Sequence, residues 1–180
     1  MQSVAGGDLV RLDTAVPYTG SYNDVVDQDQ REVNAGFEPE LKPLSVNVAD
    51  YDVIAVGTPT WWYTMAPAVK AFLHGQNFAG KTVVPFMTNG GWPGRVIKDM
   101  KAACPGADFA CDMQVKFDSN GGDHPETPES KINTWAQSVK GAAVRRKTMK
   151  DVMLWAGAGQ IGMAIARRMG AGMKIVVGDK

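Results

Sequence analysis

Apolar stretches alternate with amphipathic stretches along most of the chain. Residues 51–57 (YDVIAVG) form a continuous apolar run, which is typical of a strand buried on both faces. The same kind of pattern predicts strands at 8–14, 81–88 and 113–117, and helices at 21–36, 65–73, 93–103 and 128–140. Strands that alternate with helices predict an α/β fold, here a three-layer sandwich with a mostly parallel sheet.

Local signals refine the ends of these elements. Ser21 and Asp24 have nearly the spacing of a capping box, and the helix that they begin is expected to end near Gly36. Pro85 lies inside a predicted strand and suggests a bulge, because proline cannot donate a hydrogen bond to a neighbouring strand. Residues 141–150 are basic and lack apolar periodicity. We therefore predict a first domain at 1–140, a linker at 141–150 and a further βαβ segment at 151–180, which could be integrated into the same sheet.

Composition and charge narrow the classes of function. The chain has 180 residues and 44% hydrophobic content, which suits one packed core. Its 19 basic and 19 acidic residues cancel, so neither a nucleic acid nor a membrane partner is expected, and small-molecule chemistry is favoured. Two cysteines and two histidines suggest neither a disulfide framework nor a metal site. The first residues do not resemble a secretory signal, so we expect a cytoplasmic protein.

An aromatic loop follows the predicted central strand. Chains that leave the carboxyl ends of parallel strands meet at the edge where α/β proteins bind ligands. Trp61, Trp62 or Tyr63 is therefore a candidate platform for a flat ring, although these side chains could instead cover the neighbouring helix. The candidate binding residues in this loop are Thr58, Pro59, Thr60, Trp61 and Trp62.

A glycine-rich loop follows the next strand. Asn89, Gly90 and Gly91 would let the backbone approach a ligand closely and direct amide donors at ring carbonyls. Because the two strands are expected to be neighbours, their loops should face each other. A third loop at 118–124 is more simply explained as solvent-exposed, and His74 and His124 are expected to have no catalytic role.

The segments YDVIAVGTPTWWYTMAPAVKAFL, KTVVPFMTNGGWPG and PYTGSYNDVVDQDQREVNAGFEPEL make the chain resemble the flavodoxin-like family of bacterial FMN proteins over about residues 5–140. The resemblance implies that Trp61, Trp62, Asn89, Gly90 and Gly91 hold the isoalloxazine ring of FMN. It also implies electron or hydride transfer through the flavin, with no side-chain acid or base required. A small-molecule or protein redox partner and a homodimer are further expectations.

The family opens with a strand and a Ser/Thr-rich loop around the FMN phosphate, and neither has a counterpart in the sequence. In the family's strand order that strand would lie between 8–14 and 51–57. Its absence would leave two inner strand edges unpaired, at about 1–3 kcal/mol for each unsatisfied backbone group. We therefore expect another segment to fill the position.

Residues 151–180 offer a candidate for that position. An apolar strand at 151–156 leads into Gly157, Gly159 and Gly162, a pattern that resembles the opening of a Rossmann dehydrogenase, with Asp179 suited to the ribose of NAD. The hypothesis is that this strand enters the central position and that the glycine loop replaces the phosphate loop. The alternatives are a separate appendage, or a truncated fusion that pairs with another chain.

Three functions therefore stay open at the level of sequence. The first is an FMN-binding oxidoreductase or electron carrier. The second is an NAD-binding dehydrogenase fragment, supported by the Gly157 motif. The third is a cofactor-free interaction module or remnant, in which the aromatic side chains only pack.

Overall fold

The structure is a computed structural model that describes residues 6–118, 124–145 and 151–155. Its helices are α1 (Tyr22–Ala35), α2 (Pro67–Gly75), α3 (Val96–Ala102) and α4 (Glu129–Arg145), with one 3₁₀ turn at Val48–Asp50. Its strands are β1 (Asp8–Arg11), β2 (Val53–Trp61), β3 (Thr64–Met65), β4 (Thr82–Asn89), β5 (Asp108–Phe109), β6 (Met113–Lys116) and β7 (Asp151–Trp155). None of the four described helices combines the length and the apolar character that a membrane crossing needs.

The strands form one mostly parallel sheet. Its order is β1-β7-β2-β4, and β5 and β6 pair one after the other with the far side of β4. Only the short β3 runs antiparallel among the described strand pairs, against the end of β2. The α/β fold predicted from the alternation of apolar and amphipathic segments is confirmed.

Strand β7 lies in the central position that the sequence leaves open. It pairs in parallel with β1, from Asp8 opposite Val152 to Arg11 opposite Trp155. On its other side it pairs in parallel with β2, from Val53 opposite Asp151. The hypothesis that this strand enters the gap is therefore confirmed for residues 151–155. The predicted Gly157, Gly159 and Gly162 loop and Asp179 lie outside the described residues.

Two apolar layers cover the faces of the sheet, because successive side chains of a strand point to opposite faces. On one face Ile54 and Val56 of β2 belong to the same cluster as Val69 and Phe72 of α2. On the other face Val53 and Ala55 of β2 belong to a cluster that includes Trp135 of α4. Strand β2 is thus buried on both sides, as its continuous apolar sequence predicts.

Helix α1 has the ends that the sequence predicts. The Ser21 hydroxyl accepts a hydrogen bond from the Asp24 N–H, and the Asp24 carboxylate accepts one from the Ser21 N–H, which completes a capping box. Gly36 ends the helix with a φ of 64°. Glycine readily adopts the left-handed conformation at this position, because it has no side chain to clash.

The predicted bulge at Pro85 is wrong. Strands β2 and β4 pair without a break from Val53 opposite Thr82 to Pro59 opposite Thr88. The Val83 carbonyl, two residues before Pro85, accepts a hydrogen bond from Ala110 and so faces the side of β5 and β6. The backbone nitrogen of Pro85 faces the same side, at the interruption between β5 and β6. Its lack of an N–H therefore does not interrupt the hydrogen bonding between strands.

Two helices differ in length from the prediction. Helix α3 begins at Val96, three residues after Pro93, because the intervening residues belong to the loop that follows β4. Helix α4 continues to Arg145, so the first five residues of the predicted linker are helical. Basic residues near a helix carboxyl end interact favourably with the helix dipole, so the charge pattern that suggested a linker also suits a helix end.

We predict that β7 is required for the stability of the sheet. A chain that ends after Lys150 should lose at least about 3 kcal/mol of unfolding free energy relative to one that ends after Trp155, because the inner edges of β1 and β2 lose their partner. Urea denaturation of the two chains provides the measurement, and they differ only by the five residues of β7. Equal stabilities would show that the pairing does not support the fold.

Candidate functional site

The predicted aromatic loop is a β-hairpin. Strand β2 continues beyond the predicted end at residue 57 to Trp61, and Trp61 pairs with Thr64 of β3. Only Trp62 and Tyr63 connect the two strands. The prediction of an irregular loop over residues 58–61 is therefore wrong, because short antiparallel pairing with β3 extends the strand past the buried part of the sheet.

Both residues of this turn have left-handed backbone angles. The φ of Trp62 is 47° and that of Tyr63 is 66°. Two positive φ values define the tight turn that matches strand twist, but it normally contains Asn or Gly. A side chain in this conformation costs about 1–2 kcal/mol per residue. The chain therefore holds two large aromatic rings at positions where the local backbone disfavours them.

The glycine-rich loop at the end of β4 presents a third exposed ring. Asn89 is the last residue of β4, and its buried Oδ1 accepts a hydrogen bond from the Gly91 N–H at 2.8 Å. Gly91 has a φ of 114°, which suits glycine. The side chain of Trp92 follows and is 60% exposed, compared with 58% for Tyr63 and 39% for Trp62.

The two loops contact each other, as their positions after neighbouring strands predict. The Arg95 N–H donates a hydrogen bond of 2.8 Å to the Tyr63 carbonyl. Gly94, with a φ of 55°, lies so close to that carbonyl that a methyl group on it would overlap the Tyr63 backbone. The Thr64 hydroxyl also hydrogen-bonds the Asp99 carboxylate at 2.6 Å. The hairpin is thus attached to the start of α3.

The predicted threonines have structural hydrogen bonds. The Thr58 hydroxyl is buried, accepts from the Ala66 N–H at 3.1 Å and donates to the Pro59 carbonyl at 2.9 Å. The Thr60 hydroxyl donates to the Thr88 carbonyl at 3.3 Å. Pro59 and Gly90 are half-buried on either side of this edge. These contacts brace the ends of β2 and β4.

The two tryptophans of the hairpin have different surroundings. Trp61 is half-buried and packs against the core, and its ring meets the ring of Tyr18 edge-on with centroids 5.5 Å apart. The indole N–H of Trp62 donates to the Val26 carbonyl of α1 at 3.2 Å. Trp61 therefore supports the site from behind, whereas Trp62, Tyr63 and Trp92 present ring surface to solvent.

A buried acid lies behind these rings. Asp29 of α1 is 6% exposed, and its Oδ1 has no hydrogen-bond partner. Burial, together with the neighbouring Glu32 charge, raises the pKa of Asp29 from its usual 3.8 to about 7. Burial and a 2.6 Å hydrogen bond to Glu32 also raise the pKa of Tyr18 well above its usual range. Asp29 therefore holds a proton at or just below neutral pH.

Sequence reasoning did not single out Tyr18, Asp29 or Trp92 as site residues. A signal for Asp29 was present, because it occupies the apolar stripe of α1 between Val26 and Val33 at helical spacing. A carboxyl on that stripe must be buried. Within the described residues, no group of three or more His, Cys, Asp or Glu side chains is arranged to hold a metal ion.

The parallel sheet and the paired loops at its carboxyl edge define a flavodoxin-like α/β protein. A family model described as Flavodoxin matches residues 1–120, and the chain belongs to that family.

Two of the solved structures that are similar to this chain share its fold. A candidate flavoprotein from Bacteroides eggerthii DSM 20697 is 29% identical with a TM-score of 0.56, over 66% of this chain and 79% of that one. A candidate flavoprotein from Bacteroides uniformis ATCC 8492 is 23% identical with a TM-score of 0.55, over 69% and 77% of the two chains. A flavoprotein from Lactobacillus acidophilus NCFM, in complex with FMN, is 15% identical with a TM-score of 0.49, over 71% and 78%. A search of curated proteins finds no match.

Because the two loops are in contact, a methyl group added at Gly94 is expected to destabilise the folded protein. Gly94→Ala should lower the unfolding free energy by about 1–3 kcal/mol, because the residue has a left-handed φ and overlaps Tyr63. Gly75→Ala is the matched control, since it lies in open space at the end of α2 and should stabilise by about 0.5 kcal/mol. Thermal denaturation of both variants provides the comparison. Equal effects would mean that the loops are not held together.

The buried acid predicts a pH-dependent stability. A raised pKa means that folded Asp29 binds its proton more tightly than unfolded Asp29, so its contribution is present below about pH 4 and lost as pH rises through about 7. Asp29→Asn removes this titration. Relative to the wild type, the variant should gain on the order of 2 kcal/mol of unfolding free energy between about pH 5 and about pH 8. Urea denaturation of both proteins across this range provides the measurement. A constant difference in unfolding free energy between them would contradict the raised pKa of Asp29.

Proposed function

We propose that this protein binds FMN at the carboxyl edge of its sheet and transfers electrons or hydride as an oxidoreductase or electron carrier. The main support is the strained hairpin, which holds the rings of Trp62 and Tyr63 exposed and contacts the loop that carries the exposed Trp92. Strain at a ligand edge is retained where function requires it. Membership of the flavodoxin family and the likeness to the flavoprotein of Bacteroides eggerthii agree with this proposal.

The described residues fit the ring end of FMN. A flat heteroaromatic ring needs aromatic faces on which to stack and donors near its carbonyl edge. Trp62, Tyr63 and Trp92 would supply the faces, and the backbone of the loop after Asn89 would supply donors other than the Gly91 N–H, which is bonded to the Asn89 side chain. Gly91 suits a close approach, since a side chain there would meet only the end of Lys116. Trp61 would support the hairpin from the core side.

FMN, when bound, would supply the redox chemistry. The chain's own residues would orient the ring and limit the access of water to it. The Asn89 side chain already fixes the Gly91 amide, and the bond from Arg95 to Tyr63 fixes the separation of the two loops. Both devices are formed within the protein, so binding would require little further ordering of the backbone.

The phosphate end is a separate part of the proposal. Trp155 is paired with Gly57 and with Arg11, so the chain leaves β7 at the same edge of the sheet as the aromatic hairpin. Gly157, Gly159 and Gly162 follow within seven residues of Trp155 in the sequence. We propose that their backbone amides take the place of the family's phosphate loop.

The partner of the reaction would be a small molecule or a protein that reaches the exposed rings. The three exposed aromatic side chains support this part, because a planar acceptor or a protein could contact them. A cytoplasmic location and a homodimer belong to the same proposal.

An absorption spectrum of the purified protein tests the proposal directly. The expected result is a yellow protein that releases FMN on denaturation and that is stabilised against heat by added FMN. A colourless protein that FMN does not stabilise would overturn it and favour a cofactor-free interaction module. Stabilisation by NAD alone would also overturn it and favour a nicotinamide site.

Substitution of the exposed rings tests which residues hold the flavin. Trp62→Ala and Trp92→Ala should each weaken FMN binding by about tenfold, because each removes one stacking face. Quenching of flavin fluorescence provides the affinity. Phe109→Ala is the matched control, since this exposed ring lies on β5 beside Val83, near the opposite end of β4. An equal loss in all three variants would indicate a general effect on the fold.

A further inference from the structure

The buried acid behind the aromatic hairpin has no part in the proposed ring contacts. Asp29 is almost completely buried, yet its Oδ1 lacks a partner. Buried polar atoms are nearly always hydrogen-bonded, and an exception calls for an explanation. Its place on α1 supplies one.

The neighbouring carboxylate is well supplied with donors. Glu32 accepts a hydrogen bond of 2.6 Å from the Tyr18 hydroxyl at Oε2 and one of 2.7 Å from the Gln28 amide at Oε1. Each oxygen of the Glu32 carboxyl group therefore accepts a hydrogen bond. Asp29 has no donor at Oδ1 and lies beside this charge, so the neutral acid is its favoured form in the packed structure.

Asp29 lies between two attachments of the aromatic wall, by which we mean Tyr18, Trp61 and Trp62. One turn before it, the Val26 carbonyl accepts the hydrogen bond from the Trp62 indole. Three residues after it, Glu32 holds the Tyr18 hydroxyl, and the Tyr18 ring contacts Trp61. Residues three apart lie on the same face of a helix, so the acid sits on the face to which the wall is fastened.

We propose that Asp29 is a positioning residue that keeps the aromatic wall in place only while the acid is uncharged. Ionisation would put a second negative charge beside Glu32, on a buried carboxyl group whose Oδ1 has no donor. Such a charge gains free energy by reaching water. The wall would then separate from α1, and a flat ring would bind less well at alkaline pH. The binding part of this inference rests on the proposed function, whereas the movement of the wall does not.

Asp27 and Arg31 of α1 are exposed, and the charged groups on the neighbouring elements have partners of their own. Lys70 of α2 bonds to the Gly36 carbonyl and to Glu38 at the end of the helix, and His74 of α2 also contacts Glu38. Arg11, at the end of β1, pairs with Asp13. The hydroxyl of Tyr18 stays protonated through the relevant range because burial raises its pKa. The charge that acts on Asp29 is therefore that of Glu32.

Tryptophan fluorescence of the protein without FMN tests the movement of the wall. The wild type should show a transition centred near pH 7, and Asp29→Asn should abolish it. Asp27→Asn, at an exposed position two residues earlier on α1, is the matched control and should retain the transition. A transition that survives in Asp29→Asn, or a wild type with none, would overturn the proposal.

A second variant tests the proposal if Asp29→Asn does not fold. Glu32→Gln removes the neighbouring charge and should move the transition to lower pH, because less repulsion opposes the ionisation of Asp29. A transition that stays in place or moves to higher pH in this variant would contradict the proposal.

The affinity for FMN provides the readout at the site. If only the neutral form of Asp29 is competent, affinity should fall about tenfold between about pH 6 and about pH 8, following the neutral fraction of an acid with a pKa near 7. The fall should be absent in Asp29→Asn. Any titration of the FMN phosphate itself would affect the wild type and this variant alike. A fluorescence transition in a wild type that does not bind FMN would reject the proposed function but support the role of Asp29. An equal fall in both proteins would reject that role.

Discussion

The arrangement depends on backbone pairing in the middle of the sheet. Strands β1 and β2 present inner edges whose amide and carbonyl groups need partners, and β7 supplies them over four residues of β1 and five residues of β2. Buried backbone groups without partners are too costly for a domain whose total stability is only about 5–15 kcal/mol. The pairing also aligns the carboxyl ends of β7 and β2, because Trp155 lies opposite Gly57. The edge that carries the site therefore exists as a continuous surface only with β7 in place.

On that edge, tertiary contacts compensate for local strain. The turn of Trp62 and Tyr63 is unfavourable for large side chains, but the Tyr63 carbonyl accepts a backbone hydrogen bond from Arg95 and the Trp62 indole donates one to α1. These bonds join the hairpin to α3 on one side and to α1 on the other. The same bonds fix the turn in which the side chains of Trp62 and Tyr63 are 39% and 58% exposed.

The elements were predictable from sequence because burial follows a simple periodicity. The apolar run 51–57, the Ser21 capping box and the unfilled central position all lead to features that the structure contains. The errors arise where distant residues decide the local structure. Strand β3 extends β2 through residues 58–61, and the break between β5 and β6 accommodates Pro85. The predicted site residues that the structure describes lie at the ends of β2 and β4 and on the two loops that follow them, which are in contact. The apolar stripe of α1 indicates that Asp29 is buried, but its place next to the Trp62 attachment depends on tertiary packing, which no local pattern reveals.

A parallel sheet allows such a site to be assembled from segments in any chain order. All strands that end at one edge deliver their following loops to it, whatever their position in the sequence. Strand β7 is the last described element, yet it ends between β1 and β2 at the same edge as the aromatic hairpin. A ring-binding part and a phosphate-binding part can therefore come from sequence regions that are far apart. What the geometry requires is the strand register, and β7 satisfies that requirement with both of its neighbours.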